Sequence, residues 1–171
     1  HCGQLGARVE RLAEAGLIAL MFANTPKAMA PWGGDKALFG TNPIAFAAPR
    51  DAAALVIDLS LSKIARGKVM AAKKAGERIP EGWALDADGN PTTDPDAALA
   101  GIMLPAGDAK GSALALIVEI LAATLTGANY SNQATSFFDA EGASPGVGQF
   151  IIAIDPGAGV GARFGDRLEA L

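Results

Sequence analysis

Residues 5–23 read LGARVERLAEAGLIALMFA, a helical pattern that passes through a glycine into a continuous apolar run. In the first half, apolar residues recur three or four positions apart, at Leu5, Val9, Leu12 and Ala13. That spacing places them on one face of an α-helix, and Gly16 is typical of the left-handed residue that ends one. Residues 17–23 are the kind of run that forms a strand in a sheet covered on both faces. The order of helix, glycine and buried strand predicts an α/β domain.

The rest of the chain continues this alternation of strands and helices. Short apolar runs predict strands at residues 44–48, 54–59 and 149–154. Helices are predicted from a cap at Ser60 or Ser62 to Lys74, over residues 112–125, and over residues 163–171. The second of these is so apolar that we expect it to be buried on most sides. Residues 78–105 contain many turn residues and few periodic apolar positions, which indicates an ordered surface excursion.

Composition limits the classes of protein to which the chain can belong. Its 171 residues, 50% hydrophobic and 19% charged, suffice for one domain with a sizeable core and exclude a disordered chain. A net charge of −4 without a basic block argues against a nucleic-acid partner. The longest apolar runs, residues 16–23 and 113–123, are shorter than a membrane span, so we expect no membrane association. A single cysteine, Cys2, cannot form an internal disulfide, which predicts a cytoplasmic location.

Two motifs match familiar sites only in part. Residues 86–90 begin like a calcium-binding loop, but Pro91 and Ala97 stand where that loop needs glycine and glutamate. A turn explains them better, and no metal site is predicted. Residues 157–162 have the glycine spacing of a dinucleotide phosphate loop after a predicted strand. Asp155-Pro156 interrupts the passage from strand to loop, so we interpret this segment as a flexible glycine turn.

Four other segments are candidates for chemistry, although each also has a plain structural explanation. His1 carries the one imidazole, the side chain best suited to proton transfer near neutral pH, but it could simply be exposed. Residues 40–43, Gly-Thr-Asn-Pro, offer a hydroxyl and an amide to a carboxylate, or form a tight loop. Residues 58–60 follow a predicted strand, where ligands gather in α/β sheets, or cap a helix. Lys110 lies between glycines before a helix, which suits a phosphate or leaves a solvated lysine.

Several longer strings occur together along the whole chain. They are WGG at 32–34, LFGTNPIAF at 38–46, ARGK at 65–68, IPEGWALD at 79–86, PTTDP at 91–95 and LTG at 125–127, with Leu104-Pro105 and Lys110-Gly111 between the last two. In this order they resemble the signature of the malate/L-lactate dehydrogenase family. That family also includes ureidoglycolate dehydrogenase, sulfolactate dehydrogenase, diketogulonate reductase and Δ1-piperideine-2-carboxylate reductase.

The resemblance implies a fold and an assembly. Members use NAD or NADP on a mixed sheet covered by helices that differs from the Rossmann fold, and they are typically homodimers with the active site near the subunit interface. We therefore predict an α/β class with a non-Rossmann nicotinamide-binding domain over residues 1–171. Because the chain starts with His1 and helix-like sequence reaches Leu171, we expect a segment of a longer chain lacking both ends. The family's upstream Ser-His-Gly motif has no counterpart here.

The resemblance also implies roles for individual residues. His1 matches an acid/base histidine beside the nicotinamide, and Thr41 and Arg66 are expected to hold the substrate. Residues expected to contact the cofactor are His1, Cys2, Gly3, Gln4, Leu5, Thr25, Asp58, Leu59, Ser60 and Lys110. Members usually carry glycine where this chain has Asp108, and a carboxylate there would repel a phosphate if it pointed inward.

The function implied is hydride transfer between NAD or NADP and C2 of a small 2-hydroxy or 2-oxo acid. An alternative is an NADPH-dependent reductase of cyclic imines such as Δ1-piperideine-2-carboxylate, since residues 38–50 and 111–116 resemble that branch. Lys68 does not, because that branch carries an acidic residue there. A third hypothesis, which Asp108 favours, is a nucleotide-binding or dimerisation module without catalysis.

Overall fold

The computed structural model describes residues 2–138, 142–159, 161 and 163–171. The helices in this part of the chain are α1 (Gly6–Glu14), α2 (Arg66–Ala75), α3 (Pro95–Ala100), α4 (Ala109–Glu119) and α5 (Arg163–Glu169). The strands are β1 (Ile18–Ala23), β2 (Ile44–Ala48), β3 (Leu55–Leu59), β4 (Ala84–Leu85), β5 (Pro91–Thr92), β6 (Ile102–Met103) and β7 (Gln149–Ile154). A π-helical segment, Ile120–Thr124, continues α4, and a 3₁₀ turn spans Pro156–Ala158.

The strands form two sheets, a larger one in the order β3-β2-β1-β7 and a smaller one in the order β5-β4-β6. The predicted α/β class is confirmed. Neighbouring strands pair antiparallel in both sheets. Among the described residues, the parallel component is confined to the isolated bridge between Met29 and Met103. That bridge connects the loop after β1 with the last strand of the smaller sheet.

One face of the larger sheet is closed by α1. The small residues Ala19, Ala45 and Ala47 lie under the helix and are fully buried, as is Val9 on the helix itself. Alanines on the strands let the helix approach closely, and burying a valine of this kind contributes about 1.5–3 kcal/mol. The helix and strand predicted over residues 5–23 are confirmed by α1 and β1. The two elements also pack directly on each other.

The opposite face of the sheet is covered only in part. Ala115, Val118 and Ala122 lie on one stripe of α4 and the π-helical segment and pack in the main core with Phe22. Four large apolar residues of the helix, Leu114, Leu116, Ile117 and Ile120, are exposed. The prediction that residues 112–125 are buried on most sides is therefore wrong, because a single stripe touches the core. Apolar side chains on the outer strands are also open, among them Ile57 and Leu59 on β3 and Ile152 and Ile154 on β7.

Element boundaries differ from the predictions in two places. Helix α2 begins at Arg66 rather than after Ser60 or Ser62, since the Ser62 hydroxyl donates to the Ile64 carbonyl and Ser62 pairs with Pro105. Residues 78–105 are more than a surface excursion: they form the smaller sheet and α3, and they contribute to the main core. The described residues contain no helix long and apolar enough to cross a bilayer.

Candidate active site

A cavity of about 390 Å³ opens beside the two ends of the long loop that connects β1 and β2. It is lined by Thr25, Pro26, Lys27, Ala28, Thr41, Ala65, Arg66, Gly67, Ala134, Ser136, Phe137 and Phe138. The predicted substrate residues Thr41 and Arg66 therefore lie in one cavity, together with the predicted cofactor residue Thr25. The backbone N–H of Thr41 donates to Thr25 Oγ1 at 2.9 Å, and the two hydroxyl oxygens are 3.4 Å apart. The cavity wall thus presents two adjacent hydroxyl groups, those of Thr25 and Thr41, which lie within hydrogen-bond distance of each other.

Gly40, the residue before Thr41, allows the two threonines to approach each other. A Cβ atom at Gly40 would collide with the backbone oxygen and the hydroxyl of Thr25, so only glycine permits this approach. Asn42 adopts a left-handed φ of 38°, which asparagine tolerates better than most residues. The Gly-Thr-Asn-Pro string is therefore a close-packed loop that also forms a cavity wall, and the structural and functional explanations of it are compatible.

Arg66 brings an uncompensated positive charge to the same cavity. Its Nη1 and Nη2 atoms donate to the backbone carbonyls of Lys27 and Leu99 at 3.0 and 3.1 Å. Its Nε is buried without a hydrogen-bond partner, and no ion pair of the described residues involves this guanidinium. Burial lowers the pKa of Arg66 from its usual value. The guanidinium also lies 5.9 Å from the ring centre of Phe138, so it is oriented but not neutralised.

A second cavity of about 190 Å³ adjoins the first, because Thr25 and Phe137 line both. Its other walls include Cys2, Gly3 and Leu5, three of the residues expected to contact the cofactor. Gln4 of the same segment is exposed, and His1 lies outside the described residues. The structure therefore brings most of the predicted cofactor segment next to the predicted substrate residues.

Asp58 uses its carboxylate within the protein. Asp58 Oδ2 accepts from the backbone N–H of Gly6 at 2.7 Å, so the charge lies at the N-terminus of α1, where the helix dipole favours it. This bond ties the segment before α1 to β3. Leu59 is largely exposed, and Ser60 Oγ lies 3.2 Å from Ser62 Oγ.

The loop that precedes Lys110 is connected through Leu61 to the loop that contains Thr41. Ala106 N donates to the Leu61 carbonyl, and Leu61 N donates to the Thr41 carbonyl, each at 2.8 Å. Lys110 is exposed in the first turn of α4. Asp108 precedes it, and its carboxylate oxygen lies 3.3 Å from Lys63 Nζ. The carboxylate expected to repel a phosphate is thus paired with a lysine of the neighbouring segment.

Several residues of the larger cavity were not predicted from the sequence. Lys27 adds a second cation to its wall, and Phe137 and Phe138 add an aromatic side. Two adjacent phenylalanines in a stretch without periodicity were the available signal for a cavity wall. The described residues contain no cluster of three or more histidine, cysteine or acidic side chains that could hold a metal ion.

Comparisons with known proteins agree with this geometry. The sequence profile of the malate/L-lactate dehydrogenase family matches residues 1–171. The chain is 63% identical to the (2R)-3-sulfolactate dehydrogenase (NADP(+)) of Chromohalobacter salexigens over 176 residues, covering 100% of this chain and 51% of that protein. It is 47% identical to the Delta(1)-pyrroline-2-carboxylate/Delta(1)-piperideine-2-carboxylate reductase of Pseudomonas putida, with the same coverage of each.

A solved structure supports the fold directly. The crystal structure of a dehydrogenase from Sinorhizobium meliloti superimposes with a TM-score of 0.93 at 39% identity, covering 100% of this chain and 51% of that one. The chain spans about half the length of the curated relatives it matches. The family named from the sequence motifs is confirmed, and the chain belongs to the malate/L-lactate dehydrogenase family.

Proposed function

We propose that this chain forms the nicotinamide-binding and substrate-binding core of an NADP-dependent oxidoreductase. The enzyme interconverts a small 2-hydroxy acid and its 2-oxo acid. The observation that carries the proposal is the guanidinium of Arg66, which faces a cavity with two hydroxyl groups and no carboxylate partner among the described residues. A half-buried cation loses part of its hydration, and a substrate carboxylate supplies the anion that compensates it.

The smaller cavity fits the nicotinamide end of the cofactor. Cys2, Gly3 and Leu5 line it beside Thr25, so a ring held there lies next to the substrate cavity. We assign the contacts to the phosphates to Lys110, and further contacts to the cofactor to Leu59 and Ser60. When bound, NADP(H) supplies or accepts the hydride at C2. We assign His1 to protonate the substrate oxygen during reduction, and Thr41 to hold that oxygen or the carboxylate.

A second anionic group on the substrate suits the charges of the cavity. Lys27 and Arg66 both line it, and one substrate carboxylate uses one of these cations. The 63% identical relative acts on sulfolactate, which carries a sulfonate besides its carboxylate. We therefore favour a 2-hydroxy acid with a second negative group at C3 as the substrate.

A reductase of cyclic imines is the second candidate. Phe137 and Phe138 give the cavity an aromatic side against which a five- or six-membered ring packs. The 47% identical relative reduces such imines. The hypothesis of a module without catalysis rested on Asp108, and the pairing of that carboxylate with Lys63 weakens it.

We also propose that the protein works as a homodimer in the cytoplasm. The exposed apolar side chains of α4, including Leu114, Ile117 and Ile120, provide a surface that suits a subunit interface. The one cysteine is a free thiol, which suits a reducing compartment.

The test uses the complete protein and follows reduced-nicotinamide absorbance with NADPH and NADH. The substrate panel contains 3-sulfopyruvate, oxaloacetate, pyruvate and Δ1-piperideine-2-carboxylate. We expect Arg66→Gln to lower kcat/KM by roughly ten- to hundredfold, the equivalent of about 1.5–3 kcal/mol for a charge-assisted hydrogen bond. Arg78→Gln is the matched control, because Arg78 is exposed and bonds to Thr93 away from the cavity.

The panel also decides between the candidates. Turnover of 3-sulfopyruvate well above pyruvate, with the difference reduced in Lys27→Met, would support the substrate with two anionic groups. Turnover of the cyclic imine alone would support the reductase. Loss of activity in His1→Ala would support its role in proton transfer, whereas NADPH binding without turnover of any panel member would contradict the proposed function.

A further inference from the structure

Three polar residues meet in the interior behind the cavity wall, and we call them the polar junction: Asn42, Glu119 and Ser131. Their relative exposures are 0%, 7% and 0%. Asn42 lies in the loop before β2, Glu119 is the last residue of α4, and Ser131 lies in the loop after the π-helical segment. Buried polar groups are costly unless each is hydrogen-bonded, so their contacts define the arrangement.

The Glu119 carboxylate accepts three hydrogen bonds. Oε1 accepts from Ser131 N at 2.6 Å, and Oε2 accepts from Ser131 Oγ at 2.7 Å and from Asn42 Nδ2 at 2.9 Å. A carboxylate has two acceptor oxygens and no hydrogen to donate. The junction is therefore matched to an acidic side chain and not to an amide of the same size.

The Glu119 carboxylate and the Ala115 carbonyl together fix which way the Asn42 amide points. Nδ2 of Asn42 faces Glu119 and also donates to the Ala115 carbonyl at 3.0 Å. The amide oxygen then accepts from Thr25 N at 3.4 Å, and it also lies 3.4 Å from Ser131 Oγ, whose shorter contact is with Glu119. Thr25 in turn accepts from Thr41 N through its hydroxyl. A continuous chain of hydrogen bonds thus connects Glu119 to both hydroxyl groups of the cavity.

The junction reaches a third residue of the cavity wall through the backbone of Ser131. The carbonyl of Ser131 accepts from Lys27 N at 2.9 Å. A separate contact holds the surrounding loops without Glu119: Asn24 accepts from Gly148 N and donates to the Asn129 carbonyl, both at 2.8 Å. A change confined to the Glu119 carboxylate therefore acts on Asn42 and Ser131, and through them on the threonines and Lys27.

We propose that Glu119 is a positioning residue for the substrate cavity: its carboxylate orients the Asn42 amide, which holds Thr25 and Thr41 where substrate binds. This inference rests on the proposed function for its kinetic consequences. Glu119 lies outside the cavity lining and touches no reacting group. Its effect therefore falls on substrate binding.

The first test is Glu119→Gln in the complete protein. One of its two terminal positions becomes an NH₂ group facing a donor, and the Asn42 amide relieves that conflict only by turning over, which also takes Nδ2 away from the Ala115 carbonyl. That turn directs Nδ2 at the Thr25 N–H, so two donors oppose each other. We expect KM for the preferred substrate to rise about tenfold, since a hydrogen bond to a charged group is lost, while kcat changes little. Glu77→Gln, at an exposed position, is the matched control and should leave KM unchanged.

A double-mutant cycle separates positioning from general destabilisation. If Glu119 acts through Thr41, the KM effect of Glu119→Gln is largely lost in a Thr41→Val background. Equal effects in both backgrounds would overturn the inference. Should the Gln variant fail to fold, the same cycle is run with Glu119→Asp, whose withdrawn carboxylate weakens the bond to Asn42. The effect then has the same direction and a smaller size, and an additive result again overturns the inference.

Hydrogen exchange tests the inference without any activity. In Glu119→Gln, the backbone N–H groups of Thr25 and Thr41 should exchange faster than in Glu77→Gln, while that of Val9 in α1 is unchanged. Unaltered exchange at both threonines would overturn the inference. Failure of the wild-type protein to turn over any panel member would instead contradict the proposed function, and the exchange result would then decide the role of Glu119 alone.

Discussion

The two ends of α4 carry the same functional group in opposite surroundings. At the N-terminal end, Asp108 is exposed and lies 3.3 Å from Lys63, and its side chain makes no cap hydrogen bond to the helix. At the other end, Glu119 is nearly fully buried and accepts three hydrogen bonds from Asn42 and Ser131. Water screens the first carboxylate and can replace its partner, whereas nothing replaces the partners of the second.

The difference teaches where this chain tolerates change. At the exposed end a lost charge is compensated by solvent, so sequence can vary around the candidate phosphate loop. At the buried end each lost acceptor leaves a donor unsatisfied, and the effect spreads to the cavity wall.

The largest expected effect is that of Glu119→Leu. Removing the carboxylate leaves one side-chain N–H of Asn42 and the backbone N–H of Ser131 without their acceptor, and it leaves the Ser131 hydroxyl only the longer contact to Asn42 Oδ1 at 3.4 Å. At about 1–3 kcal/mol for each unsatisfied group, we expect the free energy of unfolding to fall by about 3 kcal/mol or more. Urea denaturation of the complete protein measures it, with Glu77→Leu at an exposed position as control. A loss below about 1 kcal/mol would remove the contrast between the two ends.

A smaller but clear effect is expected when the loop of Asn42 is forced away from Thr25. Gly40→Ala places a Cβ against the backbone oxygen and hydroxyl of Thr25, and backbone cannot rotate out of the way. We expect a loss of about 1–3 kcal/mol in unfolding free energy and a higher KM. The control is Gly165→Ala in α5, where no atom lies within 4 Å of the added Cβ. Equal stability of the two variants would contradict the close packing.

At the exposed end, Asp108→Asn should change the unfolding free energy by less than about 1 kcal/mol, because the pair with Lys63 is screened by water. The difference from wild type should shrink further in high salt. Fluorescence titration measures the affinity for NADPH. We expect Asp108→Asn to bind NADPH more tightly than the wild type, by less than tenfold. A large loss of affinity would show that Asp108 contributes more than an exposed charge.

The smallest effect concerns another exposed carboxylate, in the turn between β4 and β5. Backbone N–H donation, first from Asn90 and also from Asp88, lowers the pKa of Asp86 below its usual value. A carboxyl group with a lowered folded-state pKa stabilises the fold above its unfolded-state pKa, and this is lost as pH falls through the folded value. The stability difference between wild type and Asp86→Asn should therefore be present at pH 7 and decline below about pH 4. A difference that persists at pH 2 would contradict this origin.

The sequence predicted the regular parts of the fold well. The strands at residues 44–48 and 149–154 match β2 and β7, and Gly16, predicted as the left-handed residue that ends a helix, has a φ of 86°. The smaller sheet was missed because β4, β5 and β6 have two residues each, too few for any periodicity. The start of α2 was misplaced because Ser62 resembles a helix cap, whereas tertiary pairing with Pro105 keeps it extended.

The site was predicted only as far as local motifs extend. Thr25, Thr41 and Arg66 are brought into one cavity although they are far apart in sequence, and their roles stay predictions. Glu119 was missed, although the signal was present. It is the one charged residue in the apolar run from Ser112 to Leu125, and a lone carboxylate in such a run is buried only if it is paired.

The residue that follows Asn42 has a consequence for the chemical lifetime of the protein. Asparagine side chains deamidate when the next backbone nitrogen attacks the amide carbon, and here that nitrogen belongs to Pro43 and carries no hydrogen. The reaction would turn Asn42 into an aspartate facing the Glu119 carboxylate, two like charges in a buried space. Proline at this position closes that route, so the amide that orients the cavity wall does not degrade with age by the usual path.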